Sequence, residues 1–427
     1  MLLTIALLAV VLFLVYSFYH NSYTYWARKG VPHERPFPLI GNMMGIGSKY
    51  HFRDINQRIY DKFKGKAPFA GMFMFFKRTA MITDLDLIKQ VLIKDFNHFQ
   101  DRGLFNNTRD DPLTGHLLTL EGDEWRSMRQ KLTLFEKPRH TMLVQSFIFT
   151  NAKLAKKLRM KALRDDLTEF FMSAVKNTVD YRLKNGIKRN DFMDQLIELR
   201  ADDQEAAKRG QGIDLSQGLT LEQMAAQAFV FFLAGFETSS STMAFCLYEL
   251  ALQPDIQQRV REEIEGTLKG GEITYDALAE MTYLDQVLAE TLRKHPIIPQ
   301  LLRETNQSYK VPNTELIIEK GTTVLIPIHN IHHDADLYPE PERFDPSRFD
   351  PEEVKARHPF SYLPFGDGPR NCIGLRFGKM QAKIGIVSLL QRFKFGVSKS
   401  TEVPLTLDTR SPTLSSKYGV HLKVERI

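Results

Sequence analysis

The chain has 427 residues, 43% of them hydrophobic and 25% charged, with a formal net charge of +6. These fractions belong to an ordinary globular protein, and a chain of this length folds as one large domain or two or three average ones. Two cysteines far apart, Cys246 and Cys372, argue against a disulfide framework and suit a reducing compartment. The basic residues are dispersed with no nucleic-acid-binding motif among them, which leaves an anionic membrane surface or an acidic protein as partners.

Residues 1–19 are almost all apolar and about long enough to span a bilayer core. They show no basic n-region and no small-residue cleavage site, so residues 1–20 read as an uncleaved signal anchor. Tyr23, Tyr25 and Trp26 are expected at the membrane interface, and Arg28 and Lys29 put the bulk of the chain on the cytoplasmic side. Pro32, Pro36 and Pro38 make residues 21–42 a stiff hinge ahead of a globular domain over 43–427.

Residues 69–82 read as a hairpin around Lys77-Arg78, residues 85–94 as an amphipathic helix, and residues 99–123 as a loop. Asp123 and Glu124 open a helix that carries Trp125 and Arg129 on one face, at i and i+4. Pro138 would break that helix. Residues 153–164 are basic and amphipathic and read as a solvated face rather than a membrane-surface helix. Helical periodicity continues over 167–182 and 192–200, and residues 201–217 read as a polar loop.

Residues 219–253 are the longest periodic segment, about 50 Å as a helix. Residues 225–236 are apolar all round and are expected to be buried. Ala234-Gly235-Phe236-Glu237-Thr238-Ser239 breaks that pattern. A glycine inside a helix costs about 1 kcal/mol against alanine. A buried glutamate costs more unless paired. The stretch therefore reads as a place where a ligand approaches the helix and opens it locally. Residues 255–268 and 283–294 are further helices, the second with Glu290 and Arg293 at i and i+3. Short strands fall within 301–328. His332, His333 and Asp334 are metal-ligand types, but no further ligands follow at regular spacing. Residues 397–427 are strand-like.

Near the C-terminus lies Phe365-Gly366-Asp367-Gly368-Pro369-Arg370-Asn371-Cys372-Ile373-Gly374, directly before a helical run over 375–390. Glycine admits positive φ and close approach of another group, and proline fixes φ. The free N–H groups and the dipole of a helix start lower a thiol's pKa. Cys372 is thus placed to present a thiolate to a large flat cofactor, whereas Cys246, in an apolar stretch, reads as a small buried hydrophobe.

The pattern F-x-x-G-x-R-x-C-x-G at 365–374, E-x-x-R at 290–293, A-G-x-E-T at 234–238 and the apolar start with its prolines resemble a microsomal cytochrome P-450, a haem-thiolate monooxygenase. The wording around these motifs is most similar to the insect xenobiotic-metabolising branch. The resemblance implies a mainly α fold with a small β region, and haem b with Cys372 as axial iron ligand. It also implies Phe365 packed beside the sulfur, and Trp125, Arg129, Arg370 and Arg303 holding the propionates. Thr238 and Glu237 would handle protons on the oxygen side. Glu290, Arg293 and Arg343 would form a buried structural triad. The implied reaction inserts one oxygen atom of O2 into a lipophilic small molecule, a xenobiotic or an endogenous hormone or fatty acid, at the endoplasmic reticulum membrane. Electrons would come from NADPH through a flavoprotein reductase, with Arg129, Lys131, Arg376 and Lys379 offering a basic face to that acidic partner. Substrate contacts would come from residues 105–118, 229–235, 297–302 and 412–414. In one respect the chain departs from the family: between Arg129 and Gly235 it is short, with an internal deletion after about Leu134, in residues 134–140, of on the order of fifty or more residues.

Overall fold

A computed structural model describes residues 10, 13, 16, 17, 19–116, 118, 119, 121, 142–208 and 219–427. The fold is mainly helical with small sheets. It divides into two compact units, Met1–Asp101 with Thr238–Ile427, and Arg102–Glu237. Trp125, Arg129, Lys131 and the 134–140 junction lie outside the described residues, as do most of residues 1–19.

In the larger unit the expected hairpin is present as Phe69–Met74 and Lys77–Ile82. It continues through a parallel pairing to Thr323–Ile326 and an antiparallel one to Leu301–Glu304, giving a four-stranded sheet. All six residues of the first strand are buried, so it is covered on both faces. The main helical core gathers Cys246 and Leu250 of the helix Leu221–Leu252 with Val260 and Ile264 of Pro254–Leu268. Leu284 and Val287 of Thr282–Lys294, and Ile386 and Val387 of Leu375–Leu390, complete it. Pro254 and Asp255 start the second of these helices as a proline and an acid should, at N1 and near the positive dipole end. Of the strand-like C-terminal stretch, Leu422–Arg426 forms a strand and pairs with Phe393–Val397.

Tyr23, Tyr25 and Trp26 are not at an interface but in the core, at 5%, 8% and 0% exposure. Trp26 Nε1–H donates to the Met72 carbonyl at 3.1 Å, and Tyr23 O–H to the Phe75 carbonyl at 3.2 Å. A Cβ on Gly71 would lie 2.4 Å from the indole. Such aromatics suit any place that is apolar at one end and polar at the other, and here the hairpin's carbonyls supply the polar end. The proline-rich stretch is likewise pinned: Asn42 N–H donates to Phe73 O, and its Oδ1 accepts from Phe73 N–H, both at 2.8 Å.

The smaller unit packs Phe105, Ile148, Ala155 and Ala162 together. The buried Asp111 carboxylate accepts from the N–H groups of Ala162 and Leu163 at 2.8 and 3.1 Å. Helix Asp165–Asn185 stops at Gly186, which takes the left-handed conformation at φ 62°. The buried Arg182 then grips Asp191 and Asp194 at 2.6 and 2.5 Å, fixing the start of helix Phe192–Lys208. That helix runs on through residues 201–208, where a polar loop was expected: Ala-, Glu- and Gln-rich sequence favours helix even when wholly polar. The all-round burial expected over 225–236 is not found. Met224, Ala225, Ala226, Phe229 and Val230 are buried, but Phe232 and Phe236 are 65% and 62% exposed.

Candidate functional site

The cysteine loop is closed on its own backbone. Cys372 N–H donates to Phe365 O at 2.8 Å, Asn371 N–H to Gly368 O at 3.0 Å, and Gly366 N–H to Leu363 O at 3.0 Å. Gly366 and Gly368 have φ of 67° and 73°, where other residues are strained. A Cβ on Gly368 would also sit 2.0 Å from the Leu92 carbonyl oxygen, so that turn admits no side chain.

Gly374 caps the helix Leu375–Leu390, and a Cβ placed on it would lie 3.9 Å from the Cys372 sulfur. The sulfur therefore rests over the helix's positive end, where a thiolate is favoured. Cys372 is exposed and Cys246 is buried. Burial pushes the Cys246 thiol up to about 12, which makes it inert. Cys246 is thus the small buried hydrophobe expected of it.

Arg370 and Arg303 are both interior, at 2% and 1% exposure. Arg370 Nε–H donates to Gln100 O at 2.8 Å, and its guanidinium lies 3.6 Å from the Asp101 carboxylate. Asp101 O in turn accepts from Glu304 N–H at 2.7 Å, on the strand that carries Arg303. The loop also abuts this strand, since a Cβ on Gly366 would lie 3.3 Å from the Leu301 side chain. One unit thus holds an exposed cysteine over a helix N-terminus and two buried guanidinium groups on the adjoining segments. This donor set fits a haem, whose iron takes a thiolate and whose propionates take planar cations. Phe365 packs against Phe245, Leu292 and Ile297, which fixes the start of the loop.

Glu290 and Arg293 form a fully buried pair, Arg293 Nε to Glu290 Oε2 at 2.6 Å and Nη2 to Oε1 at 2.8 Å. Arg343 meets Arg293 only through its backbone carbonyl, which accepts from Arg293 Nη2 at 3.4 Å. Its side chain is 63% exposed and faces Glu340 and Asp345. The second cation near Glu290 is Arg348, whose Nε lies 3.6 Å from Glu290 Oε1 and whose side chain is 13% exposed. The reason is visible in the sequence: Pro-x-Arg-Phe occurs at 341–344 and again at 346–349; the first copy meets Arg293 through the Pro341 and Arg343 carbonyls, while the second, a 3-10 turn at Pro346–Phe349, brings its arginine side chain to Glu290. The Asp345 N–H donates to Glu290 Oε1 at 2.9 Å and directs the chain inward there.

Gly235, Glu237 and Thr238 lie in an uninterrupted helix, Leu221–Leu252, without the local opening expected of them. A Cβ on Gly235 would meet no atom within 4 Å, so packing does not require glycine there. Thr238 O accepts from the Thr242 hydroxyl at 2.8 Å. The next residue, Ser239, donates to Gln381 Oε1 at 3.0 Å, joining this helix to the one that follows Cys372. Two of the expected substrate stretches touch, with Leu414 N–H donating to Ile297 O at 2.9 Å. His332 and His333 are largely buried, and among the described residues no group of three or more His, Cys, Asp or Glu side chains is placed to hold a metal ion.

Comparison with known proteins identifies a family. The family model for cytochrome P450 matches residues 31–135 and 130–422. The chain is 61% identical over 509 aligned residues to the probable cytochrome P450 6a14 of Drosophila melanogaster, covering 100% of both. It is 45% identical to the probable cytochrome P450 6a13 of the same fly, over 100% of this chain and 99% of that one. Against cytochrome P450 6A1 of Musca domestica it is 40% identical, over 98% and 97%.

Proposed function

The chain belongs to the cytochrome P450 family, as a haem monooxygenase of the insect branch its relatives represent, and from that premise we propose how its residues divide the work and what it acts on. The observation that carries the reading is Cys372: an exposed cysteine over a helix N-terminus, in a turn where Gly368 admits no side chain. When bound, haem supplies the activation of O2 by which one oxygen atom enters the substrate and the other leaves as water. Cys372 holds the iron as a thiolate. Arg370 and Arg303 hold the propionates of haem b, with Trp125 and Arg129. Thr238 and Glu237 hold water and pass protons on the oxygen side.

The substrates are lipophilic small molecules, xenobiotics or endogenous hormones and fatty acids, taken up by the apolar stretches 105–118, 229–235, 297–302 and 412–414. Electrons come from NADPH through a flavoprotein reductase drawn to a basic face that includes the exposed Arg376 and Lys379. Residues 1–20 anchor the chain in the endoplasmic reticulum membrane, with the remainder on the cytoplasmic face.

A second reading, a haem-binding relative impaired in turnover, is favoured by the internal deletion. The family match falls in two pieces that meet at residues 130–135. The 509-residue alignment exceeds the 427-residue chain by 82. Phe232 and Phe236, on the helix that the missing segment would cover, are exposed. NADPH consumption and product formation with added reductase and a lipophilic substrate decide between the two. Coupled turnover supports the monooxygenase, while reduced thiolate-ligated haem without product supports the impaired relative.

A further inference from the structure

We propose that His332 is a positioning residue for the thiolate loop, tying the buried Glu290–Arg293 pair to the segment that closes on Cys372. His332 is fully buried, at the end of the short helix Ile328–His332. Its Nε2 lies 2.9 Å from Leu363 N, and its Nδ1 lies 3.2 Å from Arg293 O. A backbone N–H only donates and a carbonyl only accepts. The ring is therefore unprotonated at Nε2 and carries its proton at Nδ1. Arg293 Nη1 donates back to His332 O at 2.9 Å, so the two residues hold each other. Tyr362 stacks on the ring at 5.4 Å and 22°, fixing its plane.

The tie ends at a mechanically significant place. Leu363 is bonded through both backbone groups, its N–H to His332 and its C=O to Gly366 N–H at 3.0 Å. Two residues later, Phe365 O receives the Cys372 N–H at 2.8 Å. The path from Glu290 to Cys372 is thus hydrogen bonds plus three residues of chain. Burial, with His333 and Arg293 adding to it, holds the His332 pKa well below the usual histidine range. The bridge keeps one proton arrangement, and with both nitrogens engaged His332 has none left for a metal.

Spectral detection of this role rests on Cys372 being the haem thiolate; detection by hydrogen exchange does not. The test uses the full-length haem-loaded protein as wild type, His332→Leu, His332→Gln and, as a control in the same segment, Tyr338→Phe, which removes the Tyr338 hydroxyl bond to Ser361 O. In His332→Leu, amide exchange across residues 360–373 should rise about ten-fold with residues 254–268 unchanged. The carbon monoxide complex should lose at least about half of its red-shifted band to the unshifted one. His332→Gln, which returns a carbonyl to Leu363 N–H, should recover most of both, and Tyr338→Phe should leave the band ratio unchanged. Exchange unaltered in His332→Leu, or Gln no better than Leu, overturns the proposal. If His332→Leu does not fold, wild-type exchange decides: Leu363 N–H as slow as Cys372 N–H supports the bridge, and faster exchange refutes it. A wild type that lacks the red-shifted band would refute the thiolate reading, while the exchange result would still decide His332.

Discussion

Gly368 carries two separate demands, a φ of 73° and a Leu92 carbonyl 2.0 Å from any Cβ. A non-glycine residue in that conformation costs about 1–2 kcal/mol before the collision is counted. Gly368→Ala is expected to lower stability by more than that and to weaken thiolate ligation, read as a lower thermal midpoint and a smaller red-shifted band. At Glu290 the cations differ in the same way. Arg348→Ala removes a side chain that donates to Pro339 O and Glu340 O and lies beside the buried carboxylate, and should cost about 2–3 kcal/mol. Arg343→Ala removes an exposed one and should stay within about 0.5 kcal/mol. Equal effects in denaturant titrations would refute the assignment. Cys372 was legible because three glycines and a helix start surround it. Arg348 was not, because two copies of Pro-x-Arg-Phe stand five residues apart and only tertiary packing chooses between them.

Among the elements, the segment Tyr19–Arg28 and the hairpin Phe69–Ile82 depend on each other through Trp26. Trp26→Ala should cost about 3–5 kcal/mol, and a change below 1 kcal/mol would contradict the docking. Here sequence pattern was ambiguous: aromatic residues after an apolar run suit a membrane interface and a protein core alike, and only the carbonyls of Met72 and Phe75 distinguish them. The long helix shows the opposite case. Its length and end at Pro254 were plain from periodicity, but periodicity cannot say which apolar residues find a partner. Phe232 meets Phe171 edge-on with ring centroids 5.8 Å apart, yet it and Phe236 stay 65% and 62% exposed.

Across the whole molecule, buried neutral histidines set the acid limit. Burial lowers His116 to about 4 and His333 to about 3, and holds His329 and His332 well below the usual 6.5. Each binds no proton when folded but one when unfolded as pH falls below 6.5, so stability declines in acid. The slope is about 1.4 kcal/mol per pH unit for each histidine, acting from 6.5 down to about 4 for His116 and lower for the others. Denaturant titrations from pH 7 to pH 5 should therefore show steep destabilisation, shallower in His116→Gln. A flat profile would contradict neutral burial. Family and fold class were readable from a few motifs; how the rest of the chain packs around them is encoded in no motif.

The central claim is that Cys372 is a haem thiolate in this 427-residue form. The most direct test is the carbon monoxide difference spectrum of the reduced, haem-loaded chain beside Cys372→Ser and Cys246→Ala. The account predicts a strongly red-shifted Soret band in the wild type and in Cys246→Ala, absent from Cys372→Ser. An unshifted band in folded wild type, or a shifted band that survives Cys372→Ser, would contradict it.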